Sequence, residues 1–178
     1  MGFMAGFRGG FYCIFFLLSF WPGLSLAKST GLIELKAAFL YRFSSFFRQT
    51  GPNPKSSSTT NFCFVNAPLL LESARRSYGP LENVLIHDLK APDEIKDCDI
   101  AYLDPSGKYE IQPFLDIAKE QDILTVDETE EFLEQGGILR FFTNSKSQLR
   151  FELNLEQAKK SGIQFKAQFL RVAKIKDR

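Results

Sequence analysis

Histidine, tryptophan, methionine and cysteine are all scarce in this chain of 178 residues, which holds one His, one Trp, two Met and three Cys. With His87 alone, and nothing in the sequence to pair it with a serine or cysteine nucleophile, a Ser-His-Asp or Cys-His arrangement has no support. A zinc site built from His and Cys lacks its ligands on the same count. His87 sits at the end of an apolar run and reads as a structural residue. Gly136-Gly137 has neither the G-x-G-x-x-G nor the P-loop spacing, so it is a turn and not a phosphate cradle. Asp104-Pro105-Ser106-Gly107 also reads as a turn. An excess of one charge is missing too: 22 Lys and Arg stand against 21 Asp and Glu. That balance argues against a nucleic acid partner. The expectation is a protein without catalytic residues, cofactor or metal.

What is present begins with Met1 to Ala27. Arg8 and the α-amino group give a cationic start, Phe11 to Phe20 an apolar core, and Ser25-Leu26-Ala27 a small-x-small ending. This is the pattern of an export signal, with cleavage expected after Ala27. The apolar run falls short of the roughly 20 residues that span a bilayer, and no later segment is longer. A retained N-terminal anchor is the rival reading, opposed by Trp21-Pro22-Gly23, which would break a spanning helix. Cleavage removes Cys13, both Met, the Trp and six of the 19 Phe. Residues 28–178 then suffice for a single domain with one core.

Cys63 and Cys98 remain as an even pair in an oxidising compartment and read as a disulfide. Two buried free thiols are the alternative. In a doubly wound sheet the first strand commonly pairs with the third, which would bring the two cysteines near the roughly 5.5 Å that a bridge requires between Cα atoms.

From Leu32 to Phe47, Ile33, Ala37, Leu40, Phe43 and Phe47 recur at helical spacing, with Leu35, Phe39 and Phe46 widening the apolar face. Gly51 to Thr60 is a polar, proline-bearing stretch expected to be a flexible loop. Four continuous apolar runs follow, Phe62 to Val65, Val84 to Ile86, Ile100 to Leu103 and Ile123 to Val126, as suits strands buried on both faces of a parallel sheet. Pro68 to Ser77 and Tyr109 to Gln121 are predicted helices between them, and the link from Ile86 to Ile100 is predicted to be irregular. Ile138 to Phe142 and Leu149 to Leu153 form an antiparallel hairpin about Thr143 to Ser147. Asn154 caps a helix that ends near Gly162, and Ala167 to Ile175 is predicted as a last helix. The fold class is α/β: an open, mainly parallel sheet flanked by helices as a three-layer sandwich, with a C-terminal antiparallel hairpin.

The acidic run Asp127 to Glu131 follows the fourth strand. It reads first as the charged opening of a helix, and secondly as the edge of a pocket at the strand ends, where Asp127 and Glu128 would meet a small ligand. Aromatics on the first and last helices read first as core residues and secondly as contact sites.

Seven segments, in order, resemble the YfiR-like family of exported bacterial proteins. They are Leu35-Lys36-Ala37-Ala38-Phe39-Leu40-Tyr41-Arg42-Phe43, Phe62-Cys63-Phe64-Val65, Cys98-Asp99-Ile100-Ala101-Tyr102-Leu103, Ile123-Leu124-Thr125-Val126-Asp127, Gly136-Gly137-Ile138, Phe151-Glu152-Leu153-Asn154 and Ala158-Lys159-Lys160-Ser161-Gly162-Ile163. The resemblance implies a periplasmic regulator without catalytic activity in cyclic-di-GMP signalling. It would bind the periplasmic part of an inner-membrane diguanylate cyclase or sensor protein and hold it off, until an outer-membrane lipoprotein sequesters it. The resemblance further implies self-association as a homodimer and a disulfide, here Cys63 with Cys98. Two features depart from the family pattern. Phe47-Arg48-Gln49-Thr50-Gly51-Pro52 stands where relatives carry Glu-Trp-Pro, and a second cysteine pair is absent. Beside this stands the alternative of a periplasmic small-molecule-binding protein, and a weaker one of an oxidoreductase, which the lack of C-x-x-C spacing opposes.

Overall fold

Strands that are apolar at every position need cover on both faces, and that requirement organises this chain. The computed structural model describes residues 26–51, 54, 58–107 and 110–176. The expected export segment lies outside these except for Leu26 and Ala27, as does much of the loop expected at Gly51 to Thr60. In chain order the elements open with helix α1 (Leu26–Phe43), β1 (Phe47–Gln49), β2 (Thr60–Val65), α2 (Pro68–Tyr78) and β3 (Val84–Leu89). A 3-10 helix (Pro92–Asp97), β4 (Ile100–Leu103), α3 (Ile111–Glu120), β5 (Leu124–Asp127) and α4 (Glu130–Glu134) come next. The chain finishes with β6 (Leu139–Thr143), β7 (Leu149–Leu153), α5 (Leu155–Lys160), β8 (Ile163–Phe165), α6 (Ala167–Leu170) and β9 (Lys174–Ile175).

Seven strands form one sheet in the order β3-β2-β4-β5-β6-β7-β9. From β3 to β6 all neighbours are parallel, β7 returns antiparallel to β6, and β9 runs parallel to β7. Alternation assigns the faces. Phe62 and Phe64 point to one side, where α1, α2, α5 and α6 bring Leu40, Phe43, Leu71, Ala158 and Phe169. Cys63 and Val65 point to the other, against Ile95 of the 3-10 helix, Phe114 of α3 and Phe132 of α4. The α/β sandwich expected from the apolar runs is therefore present, with its C-terminal hairpin at β6 and β7. Because β2 and β4 are neighbours, Cys63 and Cys98 lie with Cα atoms 5.8 Å apart, their sulfurs placed for a bridge. Among the described residues no helix is long and apolar enough to cross a membrane.

Local chemistry sets several boundaries. Thr129 and Asn154 cap α4 and α5 by accepting from the backbone N–H of Phe132 and Gln157. Gly162 takes φ 64° after α5, and a Cβ there would stand 2.6 Å from the backbone of Gly51. Glycine is what lets the chain pass that point.

Two expected helices are corrected. The first ends at Phe43 instead of Phe47, because Phe47 to Gln49 pair antiparallel with Ile163 to Phe165 in a separate two-stranded sheet. The second, Ala167 to Ile175, is one turn followed by β9, where Lys174 takes a register position opposite Glu152. In each case a long-range strand pairing overrides a local helical pattern.

Candidate functional site

Two clefts lie along helix α1. The first is an aromatic groove. Phe39, Arg42, Phe43 and Phe46 recur at intervals of three and four, so they share one face of the helix and its following turn. Leu149 and Phe151 of β7, two residues apart, face them, and Phe169 closes the third side. The rings interlock: Phe43 meets Phe151 and Phe169 edge to face, each at 5.4 Å between centroids, and Phe151 stacks on Phe169 at 5.0 Å. The groove encloses about 600 Å³. Val172 on its lip is 65% exposed. Arg42, Arg150 and Gln168 supply the polar rim. Arg150 is held there by bonds to the carbonyl oxygen of Leu149 and to Gln148 Oε1.

The second cleft, of about 390 Å³, opens where β2, β4 and β5 end. Helix α2 leaves β2 toward one face of the sheet and α3 leaves β4 toward the other, so the loops diverge and a crevice remains between them. Open α/β sheets tend to bind ligands at this switch point. Lys36 of α1 donates to Glu128 Oε1 at 2.5 Å, and Tyr102 donates its hydroxyl to the same oxygen at 2.5 Å. Burial first, and the charge of Glu128 next, raise the Tyr102 pKa well above the usual phenol range, so it stays a donor. Asp104 accepts from the backbone N–H and hydroxyl of Ser106, at 2.9 and 2.6 Å. Asn66, on the crevice wall, holds φ 54°.

Of the two acids expected to edge a pocket here, only Glu128 does so. Asp127 is buried and turns its carboxylate onto the backbone N–H groups of Glu128 and Thr129, which corrects its expected role. Burial raises its pKa against those hydrogen bonds. The following acids open α4, as the run suggested. A ring nitrogen of His87 meets Asn61 Oδ1 at 3.1 Å, and Asp99 accepts from Asn61, contacts that tie β3, β2 and the start of β4 together. Among the described residues no three His, Cys, Asp or Glu side chains converge as a metal would require.

Sequence reasoning missed an ion cluster on the sheet face opposite α1. Glu152 accepts from Arg140 at 2.6 Å and from Lys174 at 2.9 Å, while both cations stand over the ring of Phe142. Burial opposes ionisation of Glu152, but the hydrogen bonds and charges of Lys174 and Arg140 outweigh it and hold its pKa below the ordinary range. The alternation along β7 pointed Glu152 to this face. Its partners on β6 and β9 carry no local signal.

A family model described as YfiR/HmsC-like matches residues 33–174, the stretch that contains both clefts. The chain belongs to the YfiR/HmsC-like family. This is a family of periplasmic, non-enzymatic regulators that in general act on diguanylate cyclases. Among solved structures, a Vibrio cholerae O1 biovar El Tor protein described as a conserved domain protein aligns with a TM-score of 0.59 at 14% identity. The alignment covers 81% of this YfiR/HmsC-like chain and 60% of the Vibrio chain, and at that identity it speaks for the fold alone. The ABC domain of a Streptococcus pneumoniae protein, solved in complex with L-Trp, gives a TM-score of 0.49 at 11% identity over 68% of this chain and 56% of its own. No curated protein matches.

Proposed function

We propose that this YfiR/HmsC-like protein is exported by cleavage after Ala27 and acts in the periplasm as one domain, residues 28–178. There it binds the periplasmic part of an inner-membrane diguanylate cyclase, or of a related sensor, and restrains it. The observation that carries this reading is the family match over residues 33–174. The aromatic groove supports it. A concave apolar surface rimmed by arginines has the composition of a protein interface core with its polar edge. Half-exposed Phe39 and Phe46 with exposed Val172 form the patch that the partner would cover.

In the oxidising periplasm the Cys63–Cys98 bridge would lock β2 to the start of β4, restricting the unfolded chain by about 3 to 4 kcal/mol. An outer-membrane lipoprotein that sequesters the regulator would relieve the restraint, and self-association would compete for the same apolar surface. Deleting the gene and measuring cellular cyclic-di-GMP and biofilm tests the reading. Restraint predicts a rise in both, restored by the wild-type gene. Unchanged levels under several growth conditions would overturn it.

A further inference from the structure

The two ends of the large sheet differ in charge. Residues 28–138, which supply β3, β2, β4 and β5 at one end, carry eleven Lys and Arg against eighteen Asp and Glu. Residues 139–176, which supply β6, β7 and β9 at the other, carry nine against two. Both of those acids are engaged, Glu152 with Arg140 and Lys174, and Glu156 with Lys160. None of the ion pairs among the described residues reaches Lys146, Arg150, Lys159, Lys166, Arg171 or Lys176. Residues 28–178 hold 21 charges of each sign, so the basic end is a separation of charge within a neutral chain.

The separation is sharpest along the outer edge of the sheet. Arg171, Lys174 and Ile175 are exposed there and Lys176 half-buried, and Arg150 is exposed on β7, the strand beside β9. A lysine on an edge strand keeps it from pairing with another sheet, a role that accounts for Lys174 but not for the cations around it. We propose that this edge docks on the surface of an anionic phospholipid bilayer. Arg150, Arg171, Lys174 and Lys176 would meet the headgroups, and Ile175, 37% exposed, would reach the start of the acyl chains. A plane of phosphates calls for several spread cations, which is what the edge presents. The acidic end, repelled by the same surface, turns away from it, so the charge separation sets orientation as well as attraction. Lipid alone is the ligand, so the outcome is independent of the regulatory reading.

The test is co-sedimentation of residues 28–178 with vesicles of mixed phosphatidylglycerol and phosphatidylcholine, and with vesicles of phosphatidylcholine alone. At about 0.1 M NaCl the protein should sediment with the anionic vesicles and not with the neutral ones. At about 1 M NaCl, where the Debye length falls from roughly 10 Å to about 3 Å, it should be released. Each cation near such a surface contributes about fivefold to partitioning, so Arg171→Glu combined with Lys176→Glu should weaken binding at least about 25-fold. Arg75→Glu combined with Arg76→Glu makes the same change in net charge at exposed positions of α2, on the acidic end. That pair should weaken binding by less than about threefold, because screening confines the attraction to the docked edge. The proposal fails if folded protein ignores the anionic vesicles at the lower salt, if neutral vesicles bind it equally, or if the two double variants are weakened alike. Salt-sensitive self-association in place of vesicle binding would assign the basic end to the acidic end of a second copy, and would overturn it too.

Discussion

Helix α1 contributes Ile33 and Lys36 to the strand-end crevice and Phe39, Arg42, Phe43 and Phe46 to the aromatic groove, so one helix serves two clefts of contrasting character. The groove is built from rings that are also core, and its floor cannot be altered without loosening the domain. The crevice is lined mostly by residues that are not core, from the strand-end loops and the outer sides of α1 and α2, and only Leu70 and Tyr102 of its lining are buried core residues. Stability and recognition are thus fused in one cleft and separable in the other. Substitutions at the two should divide along that line.

The largest expected effect is on the shared floor. Phe43 is fully buried among Phe141, Phe151 and Phe169. Phe43→Ala should cost about 3 to 5 kcal/mol in denaturant unfolding. A loss under about 1 kcal/mol would mean the groove is not continuous with the core.

Next comes the bridge. Replacing Cys63 and Cys98 together by Ala should cost about 3 kcal/mol, mainly through the freed unfolded chain. The wild-type protein under reducing conditions should lose a comparable amount, and equal stability with and without reductant would show that the thiols are free.

A smaller effect separates the ion cluster from both clefts. The folded pKa of Glu152 lies below its unfolded value, near 4.5, so its contribution is present above that value and lost as pH falls through the folded one. Glu152→Gln should therefore flatten the acid limb of the stability profile below about pH 4.5. An unchanged limb would assign the acid sensitivity elsewhere.

Smallest in stability are the exposed lips. Val172→Asp at the groove and Leu69→Arg at the crevice should each stay within about 0.5 kcal/mol of wild type. Val172→Asp should still abolish partner binding, whereas Leu69→Arg should leave it intact. If Leu69→Arg abolished it as well, the two clefts would be one coupled site.

The parts of this architecture that can be read from sequence are those whose signal is local. Phe62 to Val65 and Ile100 to Leu103 announce buried parallel strands because every position is apolar, and Asn154 announces its cap because Gln157 lies three residues on. The rest rests on distant pairings. β1 exists only because Phe47 to Gln49 meet β8, and β9 only because Lys174 meets Glu152. Glu128 was recognisable as a pocket-edge acid from its place after an apolar run. That Asp127 turns inward follows from the backbone course into α4, and that Lys36 and Tyr102 hold Glu128 follows from contacts 92 and 26 positions apart. The groove is the hardest to foresee, since its residues are the same phenylalanines that any core would use.

The most direct measurement is crosslinking of residues 28–178 to native membranes, read by mass spectrometry, with wild type, Val172→Asp and Leu69→Arg side by side. The account predicts recovery of a diguanylate cyclase or sensor protein, crosslinked beside Arg42, Arg150 and Gln168, lost with Val172→Asp and kept with Leu69→Arg. Recovery of no such protein by folded wild type, or crosslinks that survive Val172→Asp, would contradict it.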